Sequence, residues 1–355
     1  MIEIKNGEFL KIYRNLGNSN ENTTSIIVRN KKAYFIQVNY DCILFSELDV
    51  DTEDEYTISL NTQRFCALLE KLNYNCTITK DSIFSKTGKF VLTNVIEDRD
   101  LETIIDIALQ IPEKTILIHD FDKFNIARNF VGKEFGYVCL RNNSLIATDR
   151  SIAYRDFLDV EGNDVIDKSL FLHPNVIRSI PDNSKEKSSS VEVCLYNEDM
   201  NHWSLNLKDV NTKIFLNFRE LVFPDFSSKE MREVYEHEDY FLFDKNEFFN
   251  KLDIMMVFAV YNQNNRIIMT FQENKMLIQY KGADAITSDS IDCKFPESLE
   301  GQSIAVNGRY LERFKSLFKN TIKVGYHIEK PILRFSEYLE NEEDERLIMC
   351  GRIKL

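Results

Sequence analysis

The side chains able to do chemistry are spread through this 355-residue chain in patterns that argue against a catalytic centre. Its five histidines, at positions 119, 173, 202, 237 and 327, make no H-x-x-x-H pair, and none joins a nucleophile-elbow or phosphate-loop pattern. Seven cysteines, at 42, 66, 76, 139, 194, 293 and 350, are odd in number and widely spaced, and no C-x-x-C pair occurs among them. Most sit inside apolar strand-like runs, which predicts buried thiols rather than a zinc site. Asp149 beside Thr148 imitates a catalytic acid, but a turn carboxylate capping backbone amides is the better reading. No catalytic residue, metal or cofactor is expected.

The basic side chains behave differently. Helix-like segments carry Lys11 and Arg14, then Arg64 and Lys71, then Lys123, Arg128 and Lys133, then Arg178, then Lys245 and Lys251, and finally Arg309, Arg313, Lys315 and Lys319. Cations presented on helix faces neutralise phosphates without reading bases. The whole chain is nevertheless acidic, with 44 Lys and Arg against 57 Asp and Glu, a net charge of -13. Evenly spread, that charge repels nucleic acid, so DNA contact requires a segregated basic face. The stretches Asp49 to Glu55 and Glu340 to Glu345 are acidic and loop-like, away from those helices.

The elements that must position these cations repeat. Ile4 to Leu16 reads as a strand start followed by apolar residues at 9, 10, 13 and 16, the spacing of a helix with one buried face. The design returns at Ile118 to Phe130 and at Phe243 to Ile254, and in these two copies an Asp precedes the helix, where it can cap free amides. Each copy is followed by two strands of period 2: Ser25–Arg29 with Ala33–Val38, Gly136–Leu140 with Ser144–Thr148, and Arg266–Phe271 with Lys275–Tyr280. Asn30-Lys31-Lys32, Asn142-Asn143 and Glu273-Asn274 separate them, which predicts hairpins. The run SLIATDRSIAYRDFLDV from Ser144 is thus a second hairpin strand, a break at Asp149 to Ser151, and the next strand. A second strand-plus-helix unit recurs at Tyr56–Leu69, Ser169–Ile180 and Ser303–Phe314, with further strands after each.

Phe9, Phe124 and Phe248 stand 115 and 124 residues apart by subtraction of their positions, one ordinary domain each time. An α+β fold of three tandem repeats follows, each with two helices packed on antiparallel sheets. This agrees with the length, since a single core rarely grows past about 300 residues. Asp98 to Ile111 and Ser227 to Glu238 read as polar linkers. No basic-then-apolar leader and no apolar run of membrane-spanning length is present, so a soluble intracellular protein without a membrane partner is expected.

Three tandem domains of this design resemble the bacterial DNA polymerase sliding clamp, the β subunit of DNA polymerase III. Ala147-Thr148-Asp149 followed by Ile152-Ala153 is similar to the family's A-T-D-x-x-R-L-A, one residue shorter here. Phe223-Pro224-Asp225-Phe226 is similar to F-P-D-Y, and Lys330-Pro331-Ile332-Leu333 and Leu347 to Arg352 resemble the family's x-P-x-L-I and L-I-x-P-V-R endings. Cys350-Gly351 replaces the usual Pro and apolar residue, and the tail runs three residues past Arg352.

The resemblance covers the chain in order and implies domains at 1–112, 113–227 and 238–355. It implies a DNA processivity factor: a homodimeric ring, helices inward, that encircles duplex DNA without sequence preference. Replicative polymerase, clamp loader and other motif-bearing proteins would be its partners in a bacterial cytoplasm, whether the gene is chromosomal or carried by a phage or plasmid. It implies a partner-peptide pocket at Phe135, Thr148, Arg150, Ile152, Pro224, Ile332, Leu347 and Met349, with Arg150 at the rim. The apolar end of the third-repeat helix, Ile254 to Phe258, is the expected contributor to ring closure. A clamp-like protein scaffold that does not encircle DNA is the alternative, and a DNA-modifying enzyme a more distant one.

Overall fold

Tight turns set the repeat. Asn30 and Lys31, Asn142 and Asn143, and Glu273 and Asn274 are consecutive pairs with φ between 47° and 60°. Two left-handed residues in a row make the two-residue turn whose twist matches paired strands. Thr23–Arg29 accordingly pairs with Lys32–Val38, and Arg266–Gln272 with Lys275–Lys281, both antiparallel. The computed structural model describes residues 2–4, 8–17, 22–73, 76–95, 100–161, 169–180, 191–197, 202–217, 221–259, 265–282, 285–327, 329–340 and 346–353. Asp98, the acidic run 341–345 and the tail residues 354–355 lie outside them.

The helices among the described residues are α1 (Glu8–Leu16), α2 (Thr62–Lys71), α3 (Leu101–Ala108), α4 (Asp122–Ala127), α5 (Pro174–Ser179), α6 (Lys229–Tyr235), α7 (Lys245–Ala259) and α8 (Gly308–Glu312). The expected pairs are α1 with α2, α4 with α5, and α7 with α8. The second helix of each pair starts at a side-chain cap: Asn61 accepts from Arg64 N, His173 Nδ1 from Asn175 N, and Asn307 from Arg309 N. Asp244 caps α7 as expected, accepting from Glu247 N at 2.8 Å. Asp120 does not cap α4; its carboxylate accepts from Asp159 N at 3.2 Å and ties down the neighbouring strand instead.

The two stretches read as linkers hold helices α3 and α6. Each has a side-chain N-cap, Asp100 to Thr103 N and Ser228 to Met231 N, both at 3.2 Å. A lysine from elsewhere closes each C-terminus: Lys213 Nζ donates to Ala108 O, and Lys330 Nζ to the carbonyls of Glu233 and Glu236. Their surface charges hid short apolar faces that only tertiary packing makes decisive.

The chain groups into two compact units. One comprises residues 1–125, 137–143 and 158–220, the other 126–136, 144–157 and 221–355, so the division runs through the second repeat. The second repeat gives strands to both. In the first unit its Thr212–Leu216 strand pairs with Cys42–Asp49 of the first repeat, continuing one sheet across the repeats. In the second unit its Ile152–Phe157 strand pairs with Leu347–Gly351 of the third repeat. A smaller sheet in the first unit runs in the order Ile2–Ile4, Cys76–Ile78, Ser82–Ser85, Gly88–Val91.

The first seam is dry. Ile105 and Ala108 of α3 are buried with Tyr34, Phe45, Tyr196 and Phe215 in one cluster, and Ser46 Oγ and Thr212 Oγ1 bond across the strands at 2.8 Å. All seven cysteines are buried free thiols, as expected. Among the described residues no helix is long and apolar enough to cross a membrane.

Candidate functional site

The break at Asp149 to Ser151 is an ordered turn. Asp149 Oδ1 accepts from the amides of Ser151 and Ile152 at 3.0 and 2.9 Å, so this carboxylate caps amides as expected. Thr148 Oγ1 donates to Ile152 O at 2.8 Å and accepts from Arg150 N at 3.1 Å. Arg150 takes the left-handed conformation, φ 73°, that the reversal demands. The turn rests on Gly132: a Cβ there would lie 2.2 Å from Asp149 Cβ, which excludes any other residue. Arg150 projects outward, with 70% of its side chain exposed, and pairs with Glu134.

Strand register sorts the other pocket residues. Directly opposed residues share a sheet face and successive residues alternate. Met349 stands opposite Ala153 on one side and Arg334 on the other; Leu347 stands opposite Arg155, Ile332 opposite Gly351, and Thr148 opposite Ala153. Thr148, Ile332, Leu347 and Met349 therefore share one face. Ile152 stands opposite Cys350, on the reverse face with Tyr154, Leu333 and Phe335. There Phe130 stacks on Tyr154 and Phe314, and Phe314 packs on Phe335, within 5.7 Å between centroids. Ile152 is thus buried on the reverse face from Thr148, Ile332, Leu347 and Met349.

The segment from Phe223 through α6 covers the pocket face. Phe135 packs on Phe223 at 4.9 Å, Phe226 O accepts from Arg155 Nη1 at 3.3 Å and from Tyr235 OH at 2.7 Å, and Arg334 lies over the Tyr235 ring. Pro224 sits between these anchors. His237 closes the segment onto the sheet, its Nε2 donating to Ile332 O at 3.0 Å. Leu347 and Met349 are only 1% and 4% exposed, whereas Phe135, Pro224 and Ile332 are half-buried. Leu347 and Met349 are thus buried, and Phe135, Pro224 and Ile332 are the partly accessible members of this set. Sequence reasoning did not single out Arg155, Arg334 or Tyr235; Arg155 precedes Asp156 in its strand and Arg334 stands between Leu333 and Phe335.

The basic positions differ in their surroundings. Lys11 and Arg14 are exposed on α1, Arg64 and Lys71 on α2, Arg178 on α5, Arg309 on α8, and Lys133 and Lys319 in loops. Lys123, Arg128, Lys245, Lys251 and Arg313 are half-buried. Several are held by carboxylates: Arg14 by Glu70, Lys123 by Asp120 at 2.8 Å, Lys251 by Asp289 at 2.7 Å, Arg313 by Asp149 at 3.6 Å, and exposed Lys315 by Asp253 at 2.5 Å. Among the described residues no carboxylate pairs with Arg64, Lys71, Lys133, Arg178, Lys245 or Lys319.

No protein-family model matches the sequence, and no curated protein matches it by sequence search. Solved structures do match it. A DnaN sliding clamp (DNA polymerase III subunit beta) from Bartonella birtlesii bound to griselimycin has a TM-score of 0.76 at 13% identity, covering 100% of this chain and 99% of its own. The DNA polymerase III beta subunit from Thermotoga maritima gives 0.75 at 14% identity over 98% and 96%. The H. pylori beta clamp in complex with diflunisal gives 0.73 at 14% identity over 100% of both.

Proposed function

The chain has the fold of the bacterial sliding clamps from end to end, and from this premise we propose that it is a divergent clamp. Two copies close into a ring around duplex DNA and tether the replicative polymerase, the clamp loader and other motif-bearing proteins by short peptides. The observation that carries this reading is the two-way coverage, 100% of this chain against 99–100% of two of the matched clamps. The reading assigns no catalysis and a place in the bacterial cytoplasm. It takes the domains as 1–112, 113–227 and 238–355, with the second shared between two sheets.

Exposed apolar surface supports ring closure. Ile254, Val257 and Phe258 lie on the outside of α7, the first two more than 60% exposed, while Met255 and Met256 are buried. The Gly88–Val91 strand is a sheet edge with Val91 77% exposed. Lys80, Lys86 and Lys89 surround that edge, and exposed Asp292 lies beside α7, where Asp253 and Asp289 are already paired with Lys315 and Lys251. Opposite charges and two unlike ends suit a closed head-to-tail ring.

The cations without carboxylate partners, Arg64, Lys71, Lys133, Arg178, Lys245 and Lys319, are the strongest candidates to face DNA. Ion-paired Arg14, Lys123, Lys251, Arg313 and Lys315 contribute less. Lys11, Arg128 and Arg309 complete the proposed lining. The pocket is proposed at Phe135, Thr148, Arg150, Pro224, Ile332, Leu347 and Met349.

Retention on nicked circular DNA, before and after linearisation, tests the reading. Encirclement predicts salt-resistant retention on circles and loss on linearisation, since direct phosphate contacts alone weaken steeply with salt. Equal retention on both forms, or a stable monomer in sedimentation at micromolar concentration without loader or DNA dependence, replaces the clamp with a protein-binding scaffold.

A further inference from the structure

An open strand edge leaves backbone groups that need partners. The strand Ser303–Asn307 is the last in its row and pairs along its length on one side only, with Arg266–Gln272. It is nevertheless out of water, with Ile304, Ala305 and Val306 exposed by 3%, 1% and 0%. The chain beyond the last strand serves its other side. Ile353 forms an antiparallel bridge with Ala305, its amide donating to Ala305 O at 2.8 Å.

Three successive amides take three different partners here. Gly351 N donates to Ser151 O of the second repeat at 2.7 Å, Arg352 N to Pro331 O at 2.7 Å, and Ile353 N to Ala305 O. Within the third repeat the row starts at Leu347–Gly351 and passes through Ile332–Glu337, Thr321–Gly325, Tyr240–Asp244, Ile286–Lys294, Lys275–Lys281 and Arg266–Gln272 to Ser303–Asn307. The Ile353 bridge therefore joins the two ends of that row, and full closure is what abolishes an edge. The closure also reaches a helix. Two residues beyond Ala305, Asn307 caps α8 by accepting from Arg309 N at 3.0 Å, and Gly308 N donates to Asn265 O at 2.7 Å. A Cβ on Gly308 would collide with Met256, so the entry of α8 is pressed against α7.

We infer that Arg352 and Ile353 form a strap that shuts the third-repeat strands into a ring and pins the entry of α8. Its release alone opens the Ser303–Asn307 edge, because among the described residues a single bridge holds that side while a full ladder holds the other. Ile353 lies past Arg352, where the resemblance to the family's endings stops, and the strap gives it a part in the fold. The inference depends on neither DNA encirclement nor peptide binding.

Hydrogen exchange of the full chain, read by peptide mass spectrometry, tests it. Ile353→Pro deletes the donor, and the segment 303–312 should then exchange about tenfold faster, the equilibrium effect of one net hydrogen bond. A chain stopped after Arg352 should behave the same way, and Ile353→Ala, which keeps the amide, should change far less. Unchanged exchange at 303–312 in either the proline variant or the shortened chain overturns the strap. Equal acceleration by Ile353→Ala assigns the effect to the side chain and overturns the bridge. Acceleration spread evenly over 266–281 as well means that the whole repeat has loosened, and it too overturns the assignment.

Discussion

The two seams of the second repeat are built alike and finished differently. In each, one of its strands extends the sheet of a neighbouring repeat, and a capped connector helix lies over the junction, closed at its C-terminus by a lysine. The first cover, α3, presents Ile105 and Ala108 to an aromatic cluster, and its polar contacts are already paired: Lys213 Nζ on Ala108 O and Ser46 with Thr212. The second cover leans on Tyr235, Phe226 and Phe223, and beneath it are two arginines and a half-buried margin. The difference teaches that the repeat by itself does not make a site. The candidate site lies at the seam whose cover leaves Phe135, Pro224 and Ile332 half-buried over two arginines.

The comparison breaks most visibly at the dry seam. Ile105→Ala removes a fully buried side chain and should cost about 2–5 kcal/mol of stability, read as a lowered urea midpoint. At the other seam the cleaner probes are the half-buried Ile332 and Phe135, because truncating buried Leu347 or Met349 charges the fold as well as the binding. Ile332→Ala with Phe135→Ala should weaken a Leu/Phe peptide by about 2 kcal/mol or more while moving the urea midpoint less than Ile105→Ala does. A larger stability loss than affinity loss would make the second seam another core. Thr212→Ala leaves the buried Ser46 hydroxyl with one partner fewer and should cost about 1 kcal/mol in the same denaturation assay.

The smallest effect is a pH slope. Burial holds the His237 imidazole below its ordinary 6.5, and the positive charges of Lys330 and, when protonated, His327 act in the same direction. Its Nε2–H is committed to Ile332 O, and its buried Nδ1 has no partner to receive a second proton's bond. The unfolded chain therefore binds this proton more readily than the folded one. The contribution to stability is complete above about pH 6.5 and is lost as pH falls through the lower folded value. Urea midpoints measured above and below that pH should separate in the wild type and converge in His237→Gln, whose amide can still donate to Ile332 O.

Much of this architecture was legible. Asn-containing turns between alternating runs located the hairpins, and the strand-plus-helix units at Tyr56–Leu69 and Ser303–Phe314 were placed by their pattern, because these signals are local. The connector helices were not legible: α3 is short, and the surface its apolar residues pack against includes Tyr196 and Phe215, about a hundred residues away. Short words singled out Thr148, Pro224, Leu347 and Met349 as candidates, but the face taken by Ile152 depends on its register against Cys350, which no local pattern encodes. Arg155 and Arg334 were hidden for the same reason: a charged residue in a strand acquires meaning only when its opposite number is known.

The buried thiols carry one more consequence. Cys42 lies in the first seam opposite Leu216, and Cys350 in the second opposite Ile152. Burial pushes both thiols up to about 12, so neither reacts at neutral pH while its strand is closed. Each junction thus contains its own stopwatch. The rate at which an alkylating reagent marks Cys42 or Cys350, resolved by peptide mass spectrometry, times the opening of one junction independently of the other, in the unmodified protein.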